Sequence, residues 1–237
     1  MVRSAFLFFP LALGLLAAPA AAQSSSTAVP VGRDSLTQKG YTLVFINQDP
    51  ALSATTKQRM TAAFFQVYPQ EAKRFNPQTR RKVTFFVNPA YTGVAATDNG
   101  LVDYNPKWLR DHPEDIDVVT HEVMHIVQAY PNDSAPGWLT EGIADYARYV
   151  YGVNNQAGNW KLPDYKAGQS YTNSYRTMAR FLVWLGQHGY PKLVNQLDAA
   201  ARTRTYTPDI WQQRTSKTLD ALWAAYAAQP TVQLTYR

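Results

Sequence analysis

The reading turns on two neighbouring stretches, His121-Glu-Val-Met-His-Ile-Val-Gln128 and Leu139-Thr-Glu-Gly-Ile-Ala-Asp-Tyr-Ala-Arg148. On an α-helix, residues four apart differ in direction by roughly 40°, so the imidazoles of His121 and His125 leave one face together. Two nitrogens at that spacing suit a single zinc ion. Glu122 points roughly 60° beyond His125 on the same side. From there it can take a proton from a water beside the metal without displacing it. The segment around them is apolar nearly all round (Ile116, Val119, Val123, Met124, Ile126, Val127), so the helix belongs in a core, where polar side chains need partners. Gln128 is read as one such structural hydrogen-bonder. The predicted helix is His112 to Ala129, with Asp111 as cap and Glu114 completing a capping box.

A zinc peptidase needs a third protein ligand and an open fourth position. The second stretch reads as another helix, Gly137 to Val150, after the turn Pro131-Asn-Asp-Ser134. Helices joined by a short connection pack antiparallel, so Glu141 can face the two histidines. Asp145, one turn on, can accept the other ring N–H of a histidine ligand, with Asp145 as the alternative third ligand. A solvated acidic face paired with Arg148 is the bland alternative. A group is also needed against the developing oxyanion. Tyr175 is the choice, with Tyr171 and Tyr146 as rivals.

Outward from the centre the chain is ordered as sheet first, helices after. Strands are expected at Tyr41–Asn47, Lys82–Val87 and Gly100–Tyr104, and a helix at Ser53–Arg74 with Ser53 as cap. Beyond Gly137 to Val150, further helices are expected at Tyr171–Gln187, Pro191–Ala201 and Leu219–Ala228. The fold class is therefore α+β: a small N-terminal sheet with an edge strand over a mainly helical catalytic core. The loop 152–169 carries Trp160, expected in a substrate cleft. Trp108, Trp138, Trp184 and Trp223 are expected in the core, and His112 and His188 at the surface or capping helix ends.

Arg3, the apolar run Ala5–Leu16 and Ala20-Ala-Ala22 have the form of a secretory signal peptide over residues 1–22, cut near Ala22. Residues 23–37 are read as a flexible leader, and 38–237 as a single domain acting as a monomer outside the cytoplasm. No downstream run is long enough for a membrane helix. There is no cysteine, which excludes disulfides and a thiolate zinc site. The net charge of +6 is scattered, and no nucleic-acid module is recognisable.

His121 to Gln128, Ala135-Pro136, Leu139 to Arg148, Tyr175 before Ala179-Arg-Phe-Leu182, and Leu222-Trp-Ala-Ala-Tyr226 resemble, in combination, the basic secretory protein family of zinc peptidases of plants and bacteria. Glu141-Gly-Ile-Ala-Asp145 also resembles the Glu-x-x-x-Asp element of the gluzincins. The resemblance implies a zincin-like fold, one zinc ion held by His121, His125 and Glu141, Asp145 behind them, and a peptide or protein substrate. It also implies that the strand Gly100–Tyr104 offers an edge on which substrate backbone can add as a strand. A binding protein on a silent scaffold, or an amidase acting on cell-wall material, are the alternative functions.

Overall fold

Why the sheet lies where it does follows from one strand. Tyr41–Asn47 (β2) is buried along nearly its whole length, as a strand covered on both faces must be. The computed structural model describes residues 29–173 and 175–236. Five strands form one mixed sheet: β1 Gly32–Gln38, β2, β3 Lys82–Val87, β4 Ala95–Asp98 and β5 Leu101–Tyr104. Their order is β1-β2-β3-β5-β4. β2, β3 and β5 are parallel, whereas β1 and β4 run antiparallel to their neighbours at the two edges.

Helix α1, Ala54–Phe75, supplies the crossover between the parallel strands β2 and β3. Ser53 caps it as expected, its hydroxyl accepting from the Thr56 N–H at 3.1 Å. Pro69 inside the helix has no N–H to give the carbonyl four residues back. The Lys39 ammonium donates to that Phe65 carbonyl instead, at 3.1 Å. Phe64 of α1 stacks on Tyr68 and meets Phe85 of β3 edge-on, which joins helix and sheet in one core.

Seven helices complete the described chain: α2 Pro106–Asp111, α3 Val118–Gln128, α4 Gly137–Tyr151, α5 Tyr175–Gln187, α6 Leu193–Arg202, α7 Ile210–Thr215 and α8 Leu219–Ala228. After α8 the chain runs back in extended form. The Trp184 indole donates to the Gln229 carbonyl (2.8 Å). Gln187 and Gln233 exchange two bonds (2.7 and 3.1 Å). The Tyr236 hydroxyl accepts from the Leu162 N–H (2.9 Å). None of the helices formed by the described residues is long and apolar enough to cross a membrane.

Four sequence expectations need correcting. Residues 32–37, read as leader, form most of β1, which pairs with β2 through a two-residue turn at Lys39 and Gly40, both with positive φ. The strand is exposed throughout, so it carries no apolar alternation. Residues 1–28, with the expected signal peptide, lie outside the described residues. The helix expected from His112 to Ala129 is divided: α2 ends at Asp111, and α3 starts only at Val118. Pro113 disfavours helical backbone at His112, which takes φ −129° and ψ 61°. No capping box forms. Asp111 pairs with Lys107, and Glu114 with Arg59 at 2.7 Å. The expected edge strand, Gly100–Tyr104, is internal. Its place at the edge is taken by β4, joined to β5 through Asn99 and Gly100 at φ 47° and 86°, the positive-φ pair of a type I′ hairpin. Finally, Trp108 is a partly buried cleft residue rather than a core one.

Candidate metal centre and cleft

Helix α3 is placed by its apolar residues. Val119, Val123, Met124 and Val127 are fully buried, and this leaves His121 and His125 on the one side that meets open space. Its end is set by Ala129, in left-handed conformation, whose N–H donates to the His125 carbonyl at 3.1 Å. The chain turns through Pro131–Pro136 and returns as α4. Gly142 lets α5 close on α4, since a Cβ there would sit 2.3 Å from Met178 Cγ and 2.7 Å from its Cβ.

Three donor atoms converge between α3 and α4. His121 Nε2 is 3.2 Å from His125 Nε2 and 3.1 Å from Glu141 Oε2, and His125 Nε2 is 3.4 Å from that oxygen. These residues form a group able to hold a metal ion. A tetrahedral ion with bonds of about 2.0–2.1 Å requires ligand-to-ligand edges of about 3.3–3.4 Å, so the triangle already has the required size. Each histidine is held from behind. His121 Nδ1 is 2.8 Å from Asp145 Oδ1, and His125 Nδ1 is 2.7 Å from Gln128 Oε1. With Nδ1–H donated to those acceptors, both Nε2 lone pairs face the centre. Gln128 also donates to the Thr140 carbonyl at 2.9 Å, tying α3 to α4. Glu141 thus supplies an oxygen to the triangle, while Asp145, buried, stands behind His121. Arg148 pairs with Asp115 and not with either acid.

The two acids draw positive charge to the centre, here as a proton on His121. Burial alone would depress the His121 pKa, but the charge and hydrogen bond of Asp145, with Glu141, push it up to about 10. Glu141 is shifted the other way: burial opposes ionisation, and the hydrogen bonds and charges of the two histidines overcome it. The centre is a net cation trap, two acids facing two imidazoles.

Glu122 is buried, and its Oε2 accepts from the Thr97 hydroxyl at 2.7 Å. The same hydroxyl lies 3.0 Å from the Glu122 carbonyl. Thr97 sits on β4, so the edge strand holds the acid in place. The contact was illegible in the sequence because β4 itself was. For Gln128 the signal existed: it lies three residues after His125, on the adjacent helical ridge.

A cleft of about 1200 Å³ runs over the centre. Both His121 and Glu122 line it, as do β4, Trp160 of the loop 152–169, and Tyr175 at the start of α5. Of the tyrosines weighed for the oxyanion, the Tyr171 hydroxyl donates to Asp220, and the Tyr146 hydroxyl accepts from Arg74. Neither lines the cleft. Tyr175 does, half-exposed, and among the described residues no hydrogen bond occupies its hydroxyl.

Known proteins share the fold. The fold is similar to that of an M1 zinc metallopeptidase variant from Deinococcus radiodurans bound to a Tyr-Ser-Ala substrate, with TM-score 0.52 and 16% identity, covering 83% of this chain and 51% of that one. It is similar also to a two-domain M1 zinc metallopeptidase variant bound to L-tryptophan, with TM-score 0.51 and 13% identity, covering 88% of this chain and 54% of that one. The chain therefore spans about half the length of the structures it matches, and the likeness is one of fold. A search of curated proteins gives no significant match. Residues 31–226 match the family described as peptidase of plants and bacteria, and to that peptidase family this chain belongs.

Proposed function

We propose that the protein is a secreted zinc metallopeptidase in which His121, His125 and Glu141 hold one zinc ion and Glu122 is the general base. The observation that carries this is the donor triangle, with edges of 3.1, 3.2 and 3.4 Å, together with the outward Nδ1 contacts that free both Nε2 atoms. The donor set suits zinc: two imidazoles and one carboxylate, with the cleft side open for a fourth ligand. When bound, zinc acidifies water and polarises a carbonyl.

The chain's own groups then divide the work. Asp145 and Gln128 fix the tautomer and orientation of the two imidazoles. Glu122 Oε2, steadied by Thr97, takes a proton from the attacking water and later delivers it to the leaving amine. Substrate backbone adds along the free side of β4, and the Tyr175 phenol donates to the oxygen that becomes charged. Export rests on the segment 1–22, with its basic start, apolar run and small residues before the cut.

Metal analysis of the purified protein, combined with turnover of a quenched peptide library with and without chelator, tests the reading. One zinc per chain and chelator-sensitive cleavage are expected, with cleavage lost and zinc kept in Glu122→Ala. Zinc without turnover would instead mark a binding protein. Turnover unaffected by Glu122→Ala would remove the assigned base.

A further inference from the structure

The two ends of the cleft differ, and the sheet sets which way a peptide crosses it. β4 and α3 run in the same sense. Thr97 meets Glu122 in the middle. Past Asp98, Asn99 is bonded by Arg80, whose neighbour Thr79 donates to the Ile126 carbonyl near the end of α3, at 3.1 Å. Before Ala95, the Val94 carbonyl accepts from the Asn105 N–H at 3.1 Å. Asn105 caps α2, and the Trp108 indole of α2 donates to Asp115, just ahead of α3, at 3.0 Å. A peptide adding to β4 in the antiparallel sense, the slightly more stable pairing, enters at Asp98 and leaves at Ala95. Residues on the leaving-amine side of the cut therefore meet the Trp108 end.

That end is walled by Trp108, Trp160 and Val118, which all line the cleft. Arg148 and Asp115 spend their charges on each other, and the exposed His112 ring lies against Trp108, with ring centres 3.8 Å apart. Arg148, buried, holds one Asp115 oxygen and the Trp108 indole the other. Arg148 Nε donates to Asn155 at 3.1 Å, and the guanidinium carbon lies 4.6 Å from the Trp160 ring centre. Indole walls over a neutralised floor favour a large apolar side chain and penalise an unpaired charge. Resting on the peptidase reading above, we infer that this end is the subsite for the residue following the scissile bond, and that it selects an aromatic or large aliphatic side chain.

Two measurements on the zinc-loaded protein test this. Sequencing the products of a peptide library should show Phe, Tyr, Trp or Leu enriched at least about tenfold over Gly or Asp directly after the cut. The second needs no turnover. The dipeptide Phe-Ala, titrated by indole fluorescence into Glu122→Gln protein, should bind at least about tenfold tighter than Gly-Ala. Adding Trp160→Ala should level both preferences, and Trp160→Phe should restore them, which separates the lost wall from a lost fold. Equal binding of the two dipeptides, enrichment before the cut instead of after it, or a preference that survives Trp160→Ala would overturn the inference. Selective dipeptide binding with no turnover of any peptide would uphold the subsite and sink the peptidase reading.

Discussion

Across one cleft face two regions built by different means. The α3–α4 pair is regular, its inner faces apolar and fully buried, and it sets its polar groups by helical spacing. The loop 152–169 is held mainly by polar tethers. Asp117, buried, accepts from the Val153 and Asn154 N–H groups at 2.8 and 2.5 Å. Asn155 donates to the Arg148 carbonyl at 2.8 Å, and Asn154 to that of Glu114 at 2.7 Å. Packing fixes the positions that chemistry needs to within fractions of an ångström. Hydrogen-bond tethers suffice for a wall that only has to present a shape, and they can be altered one at a time.

The contrast can be broken first on its rigid side. Glu122→Gln should lower kcat by about 10⁴-fold, the upper range for a lost proton-transfer group, while metal analysis still finds zinc. Tyr175→Phe should cost about 10²–10³ in kcat at nearly unchanged KM, as for one lost oxyanion donor. A change confined to KM would reassign the phenol to substrate packing. On the loop side, Asp117→Ala removes three charge-assisted bonds, from Val153, Asn154 and the Thr120 hydroxyl, and should destabilise by about 2–3 kcal/mol in urea unfolding. Faster hydrogen exchange at Val153 and Asn154 should accompany it, with zinc content untouched. Asp145→Ala should weaken zinc about 10–100-fold, read by competition with a chelating dye.

The smallest effect is expected with acid. Glu114 is held down to about 2 by its hydrogen bonds from Arg59 and Asn154. A depressed folded-state pKa stabilises above the unfolded value of 4.5 and is lost as pH falls through 2. Because Glu114 is 48% exposed, the loss should stay below about 1 kcal/mol. Stability curves of Glu114→Gln and the parent protein should draw together below pH 4.5 and converge near pH 2.

The same contrast explains what the sequence revealed. β2, β3 and α8 lie where their patterns put them, and Ser53 starts α1 as expected, because apolar periodicity and caps are local signals. His121, His125, Glu141 and Asp145 were legible for the same reason: one helical register and one short turn decide where they point. β1 and β4 were not. Gly32–Gln38 and Ala95–Asp98 have little strand propensity of their own and become strands through pairing and through the Lys39-Gly40 and Asn99-Gly100 turns. With β4 hidden, Thr97 was hidden too. The Asp115–Arg148 pair joins residues 33 positions apart, a contact that exists only once α4 has packed back beside the start of α3.

The extended tail after α8 carries one more consequence. The family match stops at residue 226, yet Tyr236 reaches Leu162, two residues after Trp160, and the Thr235 N–H donates to the Tyr149 hydroxyl at 3.0 Å. A chain ending at Ala228 would keep His121, His125 and Glu141 and lose this clasp. Mutations in the tail therefore have a route to the cleft wall that bypasses α3 and α4. On the proposed reading, the choice of substrate can drift there while the helices that hold the ion stay constant.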